Sequence, residues 1–161
     1  MRARVTTGLV AVVLLVGMAV TSSVARSADD PMSGTWKMNP TKSKFIPGPA
    51  PRSITATIKV EAGTETFTSE GTDAAGNPTH ATFTAKFGGP DAPVTGIPYA
   101  DTVALKRVTP KSVIATLKKA GKVTMTVHVV INGDGKSRTL TYSGKNENGK
   151  AVHDVVVYDR Q

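Results

Sequence analysis

The sequence predicts an all-β fold, an antiparallel up-and-down meander of about nine strands that closes into a small barrel. After residue 28 the chain consists of period-two segments rich in Thr and Val, which suit a pleated, half-buried surface. Turn residues separate these segments at short intervals, and no stretch has apolar residues at helical spacing for three turns. A two-sheet sandwich is the alternative. The barrel is favoured because closure of a long meander removes its exposed edges.

The first predicted strand is Gly34 to Met38, which ends at Asn39-Pro40. The proline-rich segment 47–51 cannot be helical, because Pro lacks the amide donor and has a fixed φ. Segment 88–98 is predicted to be a loop, since its Gly and Pro content is too high for a ladder. The other predicted strands are 53–60, 65–71, 79–87, 102–107, 112–117, 122–131, 138–143 and 151–159.

Tight turns between the predicted strands contain Asn and Gly, which tolerate positive φ. They lie at residues 73–78, 132–135 and 148–149. Because nearly every connection is short, consecutive strands are expected to pair as neighbours.

The predicted inward faces are apolar and rich in small residues. Residues 122–131 place Val123, Met125, Val127, Val129 and Ile131 on one face. The small residues predicted to point inward are Ala56, Ala81, Ala85, Ala104 and Ala115. A barrel of about eight strands is filled by its own side chains or holds one small ligand. The candidate residues for a ligand-binding interior, or for a filled core in its place, are Trp36, Ile58, Phe83, Met125, Leu140 and Tyr142.

The N-terminus differs in character from the rest of the chain. Arg2 and Arg4 precede an almost unbroken apolar run over residues 8–20, and small residues follow up to Ala25 and Ala28. This three-part pattern is typical of a secretory signal peptide, whereas a membrane anchor needs about 20 apolar residues. We therefore predict a signal peptide over residues 1–28, cleaved after Ala25 or Ala28. Residues 29–161 would form a single β-barrel domain, periplasmic or secreted, with no stable membrane insertion.

The basic charge does not indicate nucleic-acid binding. The formal net charge of +8 becomes +6 when cleavage after Ala25 removes Arg2 and Arg4. The basic residues are scattered, and the only local cluster is Lys118, Lys119 and Lys122. Nucleic-acid sites combine a basic stripe with aromatics that stack on bases, and aromatics are scarce here. The chain also has no Cys, so neither disulfides nor a lipid-attachment cysteine contribute.

No catalytic, metal-binding or cofactor-binding pattern emerges. The three histidines, His80, His128 and His153, are the only obvious candidates, and zinc sites need three or four converging ligands. His153 and Asp154 are neighbours on a predicted strand, so their side chains point to opposite faces. We therefore predict a protein without enzymatic activity.

The segment Gly34-Thr35-Trp36-Lys37 resembles the G-x-W motif that opens the first strand of lipocalins, and similar openings occur in fatty-acid-binding proteins and avidins. The resemblance implies that Trp36 packs at the closed end of the barrel against a basic residue. Arg160 is the best-placed match and Arg138 the second.

Nearly the whole chain after the signal peptide resembles a family of uncharacterised bacterial exported proteins with a lipocalin-like, calycin-type barrel. The matching segments are 34–39, 42–45, 47–51, 73–80, 85–87, 93–96 and 157–159. This resemblance implies export and the barrel but no established activity.

Several departures exclude a transfer of known ligands. The T-D-Y motif of lipocalins is missing, and the stretch where fatty-acid-binding proteins have a helical lid is proline-rich here. Fatty-acid-binding proteins hold the ligand carboxylate with an R-x-Y pair on the last strand, whereas here Val156 occupies the Arg position before Tyr158. The tryptophan box of avidin needs several Trp residues, and this chain has one.

Two functions remain open from the sequence. The first is the binding of a small apolar ligand inside the barrel, and the second is a role as a structural or interaction module of the cell envelope. The module would act through segments 47–51 and 88–98 or through its basic surface. The oligomeric state is also open.

Overall fold

The computed structural model describes residues 30–161, and the predicted signal peptide lies outside the described residues. Within this range the chain forms ten antiparallel strands and no helix. Their bounds are β1 Gly34–Met38, β2 Ser53–Glu61, β3 Thr64–Thr72, β4 Pro78–Lys86, β5 Ala92–Thr95, β6 Thr102–Thr109, β7 Ser112–Lys119, β8 Lys122–Ile131, β9 Ser137–Lys145 and β10 Ala151–Arg160.

Each strand pairs with its sequence neighbours, and β1 also pairs with β10, so the sheet is a closed barrel. Trp36 marks this closure, because it lies opposite Arg160 of β10 on one side and Ala56 of β2 on the other. The predicted all-β meander and its closure are thus confirmed, and the sandwich alternative is wrong. Closure satisfies the backbone groups that an open sheet would leave at its edges.

The prediction that residues 88–98 form a loop was wrong for the short strand β5. Val94 lies opposite Phe83 of β4, and Ala92 lies opposite Val103 of β6. Pro93 is tolerated because β5 makes only a few ladder bonds, so the missing amide costs little. Burial of Val94 in the core favours this pairing over a loop.

Two residues predicted to point inward lie elsewhere. The register shifts between Leu117–Met125 and Lys118–Val123, so that β8 has one extra residue and Val123 is 60% exposed. Ala104 lies between the buried Val103 and Leu105, and alternation therefore places it on the outer face.

Trp36 forms the centre of the closed end of the barrel. Its side chain is fully buried, and its Nε1 donates a hydrogen bond to the carbonyl oxygen of Met32 at 3.2 Å. The Cζ atoms of Arg160 and Arg138 lie 4.1 and 5.1 Å from its ring. Arg160 also donates to the Ser33 carbonyl at 2.7 Å, which holds the chain that enters β1. Arg160, the better-placed candidate for the expected basic residue, therefore packs on Trp36, and Arg138, the second candidate, lies beside the same ring.

Gly96 follows β5 at a position that requires glycine for two reasons. Its φ is +77°, and a Cβ there would overlap the carbonyl oxygen of His80. Gly121 is a matched control, because its φ of +75° is nearly the same and a Cβ would meet nothing within 4 Å. We expect Gly96→Ala to lower the free energy of unfolding by about 1–3 kcal/mol more than Gly121→Ala, measured by urea denaturation. Equal losses would show that φ alone, and not the close approach of β4, selects glycine at residue 96.

Candidate ligand cavity

The barrel interior contains a cavity of about 200 Å³. Its wall is mostly aliphatic and aromatic, and it includes small residues, Ser69, Ala81 and Ala115, where larger side chains would fill the space. Met32 and Ile97, which lie outside the strands, contribute to the apolar lining. The rest comes from β2, β3, β4, β6, β7, β8 and β9: Ile54, Ile58, Phe67, Phe83, Leu105, Val113, Leu117, Val127, Val129 and Leu140.

A second volume, of about 280 Å³, adjoins this cavity at the end of the barrel away from Trp36. The proline-rich segment 47–51 and Phe45 form its outer wall. It shares four lining residues with the inner cavity, namely Ile54, Tyr99, Tyr142 and Tyr158. This second volume, the mouth, therefore adjoins the inner cavity on the side of the proline-rich segment.

The six predicted ligand-binding residues divide between these regions. Ile58, Phe83 and Leu140 line the inner cavity, and Tyr142 lines both the cavity and the mouth. Met125 lines only the mouth. Trp36 lines neither and is a core residue of the closed end.

The sequence reasoning missed the polar residues of the cavity. Glu65 and Arg138 both line it, together with the hydroxyl-bearing Tyr158. Strand alternation was the available signal, because Glu65 lies two residues from Phe67 and Arg138 two residues from Leu140 on the same inward faces.

Arg138 is a buried cation at the closed end of the cavity. Its side chain is 2% exposed, and within residues 30–161 its Nε has no hydrogen-bond partner. Its Cζ lies 4.9 Å from the ring of Tyr158, its cross-strand partner. Burial lowers the pKa of Arg138 from its ordinary value, but a guanidinium remains charged in proteins.

Glu65 is a buried carboxyl group in the same cavity. Burial raises the pKa of Glu65 to about 7. The positive charges of Arg138 and Arg107 partly counteract this rise, and the negative charge of Asp30 adds to it. Arg107 is itself held at the closed end, because its Nη2 lies 2.9 Å from Oδ2 of Asp30 and its Cζ lies 4.2 Å from the ring of Phe87. The Glu65 carboxyl therefore changes charge near neutral pH.

The tyrosines near the mouth supply neutral hydroxyl groups. Tyr142 and Tyr158 are both buried, and burial raises the pKa of each hydroxyl above its ordinary value. Burial also raises the pKa of Tyr99 to about 12. At the rim, Asp154 accepts a hydrogen bond from the Ile46 amide at 2.7 Å, which fixes the chain just before the proline-rich segment.

The three histidines do not converge. All are exposed, on the outer faces of β4, β8 and β10; His128 Nε2 lies 3.0 Å from Ser112 Oγ, and His80 Nδ1 lies 3.8 Å from Glu70 Oε1. Within residues 30–161 no three His, Cys, Asp or Glu side chains gather where they could hold a metal ion. None of the described segments is a helix long and apolar enough to cross a membrane.

A larger groove, of about 940 Å³, lies outside the closed end between Pro31, Phe87 and Pro110. It is more open to solvent than the interior cavity, which side chains from most strands surround. The interior is therefore the better candidate for binding a small molecule.

No protein-family model matches this chain, and no curated protein matches it.

Proposed function

We propose that this chain is an exported, non-enzymatic barrel that binds a small, largely apolar molecule in its interior. The observation that carries the proposal is the apolar cavity of about 200 Å³ with its adjoining mouth. An enclosed apolar cavity of about 150 Å³ is sufficient for benzene. The cavity therefore suits a ligand of the size of one aromatic ring or a short acyl chain.

The packing of the interior supports this proposal. Protein cores seldom contain voids much larger than a water molecule, and an empty apolar void destabilises a fold by about 24 cal/mol per Å³. Larger residues at Ala81 or Ala115 would fill the space, yet both positions are small. A ligand that occupies the cavity would offset this cost.

Filling the cavity tests the proposal. Ala115 lines the cavity, whereas Ala104 on the neighbouring strand β6 lies on the outer face and is also half-buried, so it is a matched control. We expect Ala115→Leu to weaken binding of 1-hexanol about tenfold or more, because its side chain occupies ligand space, and Ala104→Leu to leave binding unchanged. Isothermal titration calorimetry measures both affinities.

Native mass spectrometry of the protein from its own host gives a second readout. We expect a bound small molecule, and a mature chain that begins at Arg26 or Asp29 as signal cleavage requires. Equal affinities for the two leucine variants, or a wild-type protein that binds nothing, would contradict the proposal and favour the envelope interaction module.

A further inference from the structure

The closed end of the cavity contains a positive charge that a purely apolar ligand would leave uncompensated while Glu65 is protonated. Arg138 is buried and forms no ion pair within residues 30–161. Its Nε has no hydrogen-bond partner among these residues. The rings of Trp36 and Tyr158 contact the guanidinium but accept no conventional hydrogen bond from it, so the loss of hydration is only partly offset.

We propose that the ligand is a small monocarboxylate whose anionic group binds the guanidinium of Arg138 at the closed end. Its apolar part would lie against Ile58, Phe83 and Leu140, which line the same cavity. This inference rests on the proposed binding function and specifies its ligand class.

The chemistry of the site favours a carboxylate over a neutral ligand. A guanidinium donates charge-assisted hydrogen bonds that match the geometry of a carboxylate. The buried hydroxyl of Tyr158, whose ring packs on the Arg138 guanidinium, is a neutral donor in the same cavity. When Glu65 is protonated, the single negative charge of a bound monocarboxylate also balances the positive charge of Arg138.

Glu65 couples this binding to pH. The charged groups that act on it are Arg138 and Arg107, which favour its ionised form, and Asp30, which opposes it. Its pKa of about 7 means that it competes with a bound carboxylate for Arg138 above neutral pH. A bound anion raises the Glu65 pKa further through like-charge repulsion. Above pH 7, binding of the carboxylate is therefore accompanied by proton uptake at Glu65. The affinity for the carboxylate then falls by up to about tenfold per pH unit as pH rises.

The experiment compares hexanoate with 1-hexanol, which has the same carbon chain but no charge. For the wild-type protein at pH 6 we expect hexanoate to bind about tenfold to hundredfold more tightly. Between pH 6 and pH 8.5 the hexanoate affinity should fall by about tenfold or more. Calorimetry in two buffers of different ionisation enthalpy should show proton uptake at pH 8. The fluorescence of Trp36, the single Trp, gives a second signal, because its ring lies 5.1 Å from Arg138 Cζ.

Two variants separate the roles of the charged residues. Arg138→Met should abolish the preference for hexanoate over 1-hexanol, and Glu65→Gln should remove the pH dependence of hexanoate binding. If Arg138→Met does not fold, Arg138→Lys should reduce the preference, because a lysine keeps the charge but loses the planar fork.

The possible failures are distinguishable. A wild-type protein that binds 1-hexanol as tightly as hexanoate overturns the carboxylate site and leaves the proposed binding function standing. An Arg138 variant that keeps the full preference, or hexanoate binding that does not change with pH, also overturns it. A wild-type protein that binds neither probe overturns the proposed function as well.

Discussion

Trp36→Ala is expected to lower the free energy of unfolding by about 3–5 kcal/mol, the range observed when large buried aromatic side chains are removed. Trp36 is fully buried where β1 joins β10 to close the barrel. The substitution leaves a void, removes the hydrogen bond to Met32 and deprives Arg160 and Arg138 of the ring on which they pack. Equilibrium unfolding in urea, followed by far-UV circular dichroism, measures the loss.

Two further variants make this result specific. Trp36→Phe keeps an aromatic face for Arg160, so we expect a smaller loss than with alanine. Val123→Ala removes apolar atoms from a residue that is 60% exposed and should change stability by no more than about 0.5 kcal/mol. If Trp36→Ala cost no more than Val123→Ala, the closed end would not depend on this residue.

Glu65→Gln is expected to stabilise the ligand-free protein at pH 8 relative to the wild type. The Glu65 pKa rises from an ordinary value of 4.5 to about 7 in the folded barrel, so between these values the folded state holds the proton that the unfolded state has released. Wild-type stability therefore falls as pH rises through this window, by roughly 3 kcal/mol from this group. Glutamine cannot ionise and should show no such loss.

The measurement is the difference in unfolding free energy between Glu65→Gln and the wild type from pH 4 to pH 8. Other groups titrate in the same range, and the difference cancels their contributions. Glu61→Gln is the matched control, because Glu61 is exposed in an ion pair with Lys59 and should change stability by no more than about 0.5 kcal/mol. A Glu65→Gln difference that stays constant with pH would contradict a buried, titrating carboxyl group.

The period-two pattern was sufficient to predict most strands and several cavity residues. Strands of four to ten residues with apolar positions at alternate sites, as around Phe83 and Leu140, have one buried face wherever the barrel places them. Ile58 and Tyr142 were predicted for the same reason, and they line the cavity. What a ligand does with these residues remains a prediction.

The alternation pattern within a segment gave wrong predictions where the pairing of neighbouring strands determines the structure. Strand β5 forms because Val94 is buried between β4 and β6, although its own sequence contains Pro. Val123 is exposed because β8 carries an extra residue relative to β7, and a bulge of this kind depends on the pairing of two strands.

The sequence by itself determined an all-β meander with Trp36 at the start of its first strand, because alternation and turn chemistry are properties of short segments. Only the tertiary structure decided that Glu65 of β3 and Arg138 of β9, which are far apart in the chain, line the same interior cavity. Their burial, and hence the shift of the Glu65 pKa to about 7, depends on all the strands that surround them. The carboxyl group of Glu65 is removed from water by the packing of many strands in the closed barrel, so the sequence around Glu65 alone does not predict its pKa.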